Sequence, residues 1–140
     1  MSQFVLDATI TMAWCFTDEA TEFTETLLSR LSDLTDRALV PALWLYEVVN
    51  VVELAVRKGR ITEEKATAFL ESLADLPIEI ENPTQPLVFT SMRALASRYK
   101  LTGYDAAYLE LAIRHNLPIA ALDNALAQAA RAASVDLVQL

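Results

Sequence analysis

Leu101–Asp123, LTGYDAAYLELAIRHNLPIAALD, reads as a helix opening near Gly103, a break at Asn116–Pro118 and an apolar strand, Ile119–Leu122, ending on an acid. Two carboxylates bracket the stretch, Asp105 in the first turn of the helix and Asp123 at the end of the strand. In an α/β fold, helix N-termini and the C-terminal ends of parallel strands open onto the same edge of the sheet. The two acids are therefore placed to meet, and the rest of the chain decides what joins them.

Upstream, Phe4–Leu6 is a short apolar run with Asp7 at its end, followed by a helix over Ala8–Phe16. Thr17 is an N-cap candidate for a helix reaching about Leu34, on which Leu27, Leu28, Leu31 and Leu34 keep helical spacing. Ala38–Val40 reads as a strand stopped by Pro41, and Leu43–Lys58 as a long helix closed by Gly59. That helix is apolar nearly all round, with Glu47 and Asn50 one turn apart on a shared face. Thr62 opens a helix to about Leu76, Ile78–Ile80 is a third strand, and Pro86–Tyr99 another helix. Downstream of Asp123 come a helix over Asn124–Ala133 and a last strand, Leu137–Leu140. Strands alternating with helices imply a mostly parallel sheet covered on both faces. The 140 residues read as a single domain, 1–140, without repeats or linkers.

Composition narrows the function. A single cysteine, Cys15, excludes an intrachain disulfide and a cysteine-rich zinc site, and reads as a small core residue. No apolar run reaches the roughly 18 residues of a membrane span, and MSQFVLDAT lacks the basic start of a signal peptide. A cytoplasmic protein with no membrane partner is expected. Two glycines leave no phosphate-binding loop, and one histidine with no G-x-S-x-G gives no serine hydrolase. That histidine, His115, suits a helix C-terminus by its dipole. The net charge of −8 argues against a polyanionic partner in sum but not in distribution. Asn82–Tyr104 holds no acid and carries Arg93, Arg98 and Lys100, while Arg57, Lys58 and Arg60 form a second basic cluster.

Four acids have settings that could bring them to one sheet edge: Asp7, Glu47, Asp105 and Asp123. Two unit charges about 4 Å apart repel by roughly 4 kcal/mol at an effective dielectric near 20, so such a group holds protons or a cation. Hard oxygen ligands point to Mg²⁺ or Mn²⁺. Each acid also has a structural role open to it. Asp7 and Asp123 can cap the helices after them, and Asp105 follows Thr102 in a loose capping box. Glu47 can be solvated or paired, yet Val, Leu and aromatic residues surround it except for Asn50, a poor setting for an idle charge. Trp44 and Tyr46 read as core or interface residues; Tyr104, beside Asp105, is open to packing or to stacking on a base.

FVLDAT at the N-terminus, E-V-V-N after Pro41, LTGYDAAYLELA and ALDNALAQAA, in that order, resemble the PIN-domain ribonucleases, and among them the VapC-type toxins of toxin–antitoxin pairs. The resemblance spans essentially the whole chain. It implies an α/β/α fold on a five-stranded parallel sheet in the order 3-2-1-4-5, with an acidic pocket for Mg²⁺ or Mn²⁺. Asp7, Glu47, Asp105 and Asp123 match the family's acids, Thr9 its small hydroxyl near the first acid, and Asn50 the polar companion of the helix acid. Ala121 departs from the pattern, since many relatives have Thr or Ser two residues before the last acid. The implied activity is metal-dependent endoribonucleolytic cleavage of RNA, in a homodimer that a cognate antitoxin blocks. A phosphohydrolase is a second reading, although Thr9 stands where its second aspartate belongs. A non-catalytic receiver-like module is a third, although it lacks the lysine after a late strand.

Overall fold

The computed structural model describes residues 2–140. Four strands, β1 (Ser2–Leu6), β2 (Asp36–Pro41), β3 (Ile78–Glu81) and β4 (Ile119–Ala120), form one parallel sheet in the order β3-β2-β1-β4. Phe4 pairs with Ala38, Ala38 with Ile78 and Val5 with Ile119. Phe4, Val5 and Leu6 are all buried. Neighbours on a strand point to opposite faces, so both faces of the sheet are covered, and the expected α/β layering holds.

The helices are α1 (Ala8–Cys15), α2 (Glu22–Ser32), α3 (Leu43–Arg57), α4 (Glu63–Ala74), α5 (Gln85–Leu87), α6 (Arg93–Tyr99), α7 (Gly103–His115) and α8 (Asn124–Ala132). A π-helical stretch, Val88–Met92, joins α5 to α6, so the Pro86–Tyr99 helix is continuous in path but locally underwound. Thr62 caps α4 and Thr102 caps α7, each accepting an N–H three residues on. Asn116 ends α7 in the left-handed region at φ 54°, and Gly59 follows α3 at φ 72°. Trp44 is core, its indole N–H donating to Thr11 Oγ1 at 3.0 Å. Cys15 is only half-buried against that core.

Three expectations are corrected. The fifth strand, Leu137–Leu140, is a single parallel bridge between Leu137 and Ile119. The reason lies in β4, which ends at Ala120 rather than Leu122. Ala120 gives its carbonyl to Asp7 N–H, after which the chain turns so that Asp123 can cap α8. Ile119 alone is left to take the N–H of Val138 and donate to Asp136. Thr17 does not cap the second helix. Thr17–Glu19 is a 3₁₀ turn, and Thr21 caps α2 in a reciprocal box with Thr24. Leu34 lies beyond α2, 60% exposed, with φ 59°.

Candidate active site at the carboxyl edge of the sheet

Asp7 ends β1 and caps α1. It is buried to 4% exposure, taking the Thr9 hydroxyl proton on Oδ2 at 2.5 Å and the Thr9 N–H at 3.4 Å. Thr9 Oγ1 also accepts the N–H of Leu122 at 3.0 Å, so one hydroxyl ties the end of β1 to the loop after β4. On that loop Asp123 Oδ2 accepts the Leu126 N–H at 3.0 Å and caps α8. Asp105 sits in the first turn of α7, its N–H held by Thr102 Oγ1 at 3.1 Å. Glu47, in the second turn of α3, accepts from the Tyr108 hydroxyl on Oε1 at 2.6 Å. For Asp7, Asp105 and Asp123 the capping contacts fix a carboxylate at the edge where strands end and helices begin, while Glu47 is held by Tyr108 instead.

The four acids sense one another. Burial pushes the Asp7 carboxyl up to about 6; Thr9 pulls against that rise and the charge of Glu47 adds to it. Asp105 is raised to about 6 by burial, by the charges of Asp123 and Asp7, and by a hydrogen bond with the Asp123 carboxyl that favours a shared proton. Glu47 is raised by burial, an effect reduced by the Tyr108 hydrogen bond and increased by Asp105. Tyr108 is itself held far above its ordinary value by burial and by Glu47, so its phenol stays a donor. Among the described residues, however, no three acid, histidine or cysteine side chains are gathered tightly enough to grip a metal ion as they stand. Asp7, Glu47 and Asp123 each give an oxygen to a protein donor instead. The donor chemistry fits a hard divalent cation: all oxygen, anionic and mutually repelling.

Asn50 is exposed and lines the same groove as Glu47; among the described residues its side chain makes no hydrogen bond. Tyr108 is the residue that sequence reasoning missed. Its place one turn after Asp105, on the same face of α7, was the available signal. The basic clusters fare unequally. Arg60 is consumed by Asp18 and Glu19, at 3.0 and 2.7 Å, and lies over the Phe16 ring, so it drops out as an RNA contact. Arg57 faces Glu53 at 3.5 Å, and Arg98 lies over Tyr99. His115 ends α7 as its dipole favours, its Nε2 2.6 Å from Glu81.

Residues 4–132 match the PIN domain. Ribonuclease VapC3 from Pyrobaculum aerophilum is 29% identical over 126 residues, covering 90% of this chain and 93% of that protein. The crystal structure of PAE2754 from the same organism superposes with a TM-score of 0.69 at 21% identity, over 91% of this chain and 84% of that one. VapBC2 from Rickettsia felis, crystallised on a DNA fragment from its promoter, gives a TM-score of 0.67 at 13% identity over 97% of each chain.

Proposed function

The chain belongs to the PIN-domain family, and on that premise we propose that it is a metal-dependent endoribonuclease, the toxin of a toxin–antitoxin pair. The observation that carries the reading is the electrostatic linkage of Asp7, Glu47, Asp105 and Asp123 at one sheet edge, two of the four raised to about 6, with none of them ion-paired to Lys or Arg among the described residues. The similarity to Ribonuclease VapC3 over 90% of the chain supports the substrate class.

Asp7, Glu47, Asp105 and Asp123 would hold a Mg²⁺ or Mn²⁺ ion. When bound, such an ion supplies Lewis-acid activation of water and neutralises charge developing on the phosphodiester oxygens. The chain's own residues do the positioning. Thr9 orients Asp7 through Oδ2, and its link to Leu122 N–H keeps the ends of β1 and β4 in register despite the missing hydroxyl at Ala121. The Tyr108 phenol pins Glu47 through Oε1. Asp105, raised to about 6 with the Asp123 carboxyl beside it, is the acid suited to take a proton from the attacking water. Lys100 and Arg93, in the acid-free stretch before Asp105, are the cations placed to steer a phosphate backbone.

Exposed apolar residues on α3, Leu45, Val49 and Leu54, support a protein partner on that helix, an antitoxin segment or a second copy in a homodimer. Incubating cellular RNA with the wild-type chain and with Asp7→Asn, in Mg²⁺, Mn²⁺ and EDTA, tests the activity. Cleavage by the wild type in metal alone is expected; equal cleavage by Asp7→Asn, or cleavage in EDTA, removes the reading.

A further inference from the structure

Two large aromatic side chains stand in water beside the acids. Tyr46 is 70% exposed and Tyr104 is 65% exposed, and each immediately precedes a site acid, Glu47 and Asp105. They line one open groove of about 490 Å³ with Leu43, Glu47, Asn50 and Val51. Leu43, Glu47, Asn50 and Val51 share a face of α3 with Tyr46 by helical spacing, while Tyr104 comes from the first turn of α7, so the two rings reach the groove from different elements. Tyr46 was expected in the core or at an interface, and its exposure rules out the core. Among the described residues neither phenol makes a hydrogen bond, so nothing in the fold accounts for holding the rings there.

We propose that Tyr46 and Tyr104 form a stacking site for one nucleobase beside the acids. The inference rests on the nuclease reading above and deepens it. A strand with a phosphate at the acids must put a neighbouring base in this groove, because Glu47 and Asn50 belong to the groove and to the site. The groove, of about 490 Å³, is walled by the apolar Leu43 and Val51. Aromatic rings stack on any base with little regard to sequence, and only an unpaired strand can offer a base face, since an A-form duplex keeps its bases stacked within.

The test measures binding of a short fluorescent single-stranded RNA by anisotropy, with the full chain in the Asp7→Asn background so that nothing is cut. Tyr46→Ala and Tyr104→Ala are each expected to weaken binding about tenfold, while the Phe variants stay near the parent. Neither Ala change should alter binding of the corresponding duplex, and replacing the seated nucleotide by an abasic one should erase the penalty. Thermal unfolding should be unchanged, because both rings are exposed. Ala variants that bind like the parent, lose single strand and duplex alike, or change only the oligomeric mass overturn the stacking site, the last by making Tyr46 an interface residue. The two readings separate cleanly. If the otherwise wild-type chain cuts RNA in Mg²⁺ and the tyrosine variants bind normally, the stacking site alone is lost. If it cuts nothing, the nuclease reading falls and the stacking site with it.

Discussion

Asp7, Asp36 and Glu110 are equally buried, at 4%, 4% and 5% exposure, and they lead different lives. Asp36 receives a forked contact from Arg30 at 2.6 and 3.2 Å, and Glu110 one from Arg114 at 2.8 and 3.0 Å. Asp7 has a threonine for company and two other acids, Glu47 and Asp105, within electrostatic reach. Burying a carboxylate is costly unless a cation compensates it. At Asp36 and Glu110 the fold supplies an arginine, and at Asp7 it supplies none among the described residues, as the proposed ligand role requires. Burial alone therefore does not mark a site; the missing counter-charge does.

The sharpest way to break this contrast is to neutralise acids from each group and follow RNA cleavage. Asp105→Asn or Asp123→Asn is expected to lower kcat/KM by at least about 100-fold. Glu110→Gln should retain the specific activity of whatever fraction is folded. Comparable losses from both groups would erase the distinction.

Stability should show the reverse order. Glu110→Gln strands the Arg114 guanidinium beside Glu81 alone and is expected to cost about 2 kcal/mol, read as a lower urea midpoint at unchanged slope. Asp7→Asn in metal-free buffer should stabilise instead. The Asp7 carboxyl ionises near 3.8 when unfolded and near 6 in the fold, so its ionised form is penalised in the native state. The penalty is absent below about pH 4, grows between pH 4 and 6, and is complete above, at most about 3 kcal/mol. The advantage of Asp7→Asn should therefore appear as pH rises through that window; an advantage that shrinks over the same range contradicts the assignment.

These regions were unequally legible in the sequence. Asp7 and Asp123 could be placed because an acid ending an apolar run and capping the next helix has few other positions to occupy. Thr102 similarly fixed Asp105. The i,i+4 pair of Glu110 and Arg114 was open to a sequence reading, but other partners were not legible, because they come from tertiary pairing. Arg60 finds Asp18 from 42 residues away and Tyr108 finds Glu47 across 61, distances at which no local pattern speaks. The fifth strand failed for a local reason, since β4 stops at Ala120 and Leu122 gives its N–H to Thr9 Oγ1 instead of to a neighbouring strand. Thr21 won over Thr17 because Thr24 could close the box with it.

The smallest expected effect belongs to the Tyr108 link. Tyr108→Phe keeps the ring and removes the donor to Glu47, costing about 1 kcal/mol of stability. Cleavage should fall about tenfold through kcat with KM little changed, as for a residue that positions a ligating group. A change confined to stability would reduce Tyr108 to packing.

The central claim is that the uncompensated acids make one divalent-cation site. Calorimetric titration of Mn²⁺ into the metal-free chain at neutral pH addresses it without RNA. Saturable binding with proton release is expected for the wild type and for Glu110→Gln, and its loss for Asp7→Asn. Binding that survives Asp7→Asn undiminished, or is absent from the wild type, would contradict the account.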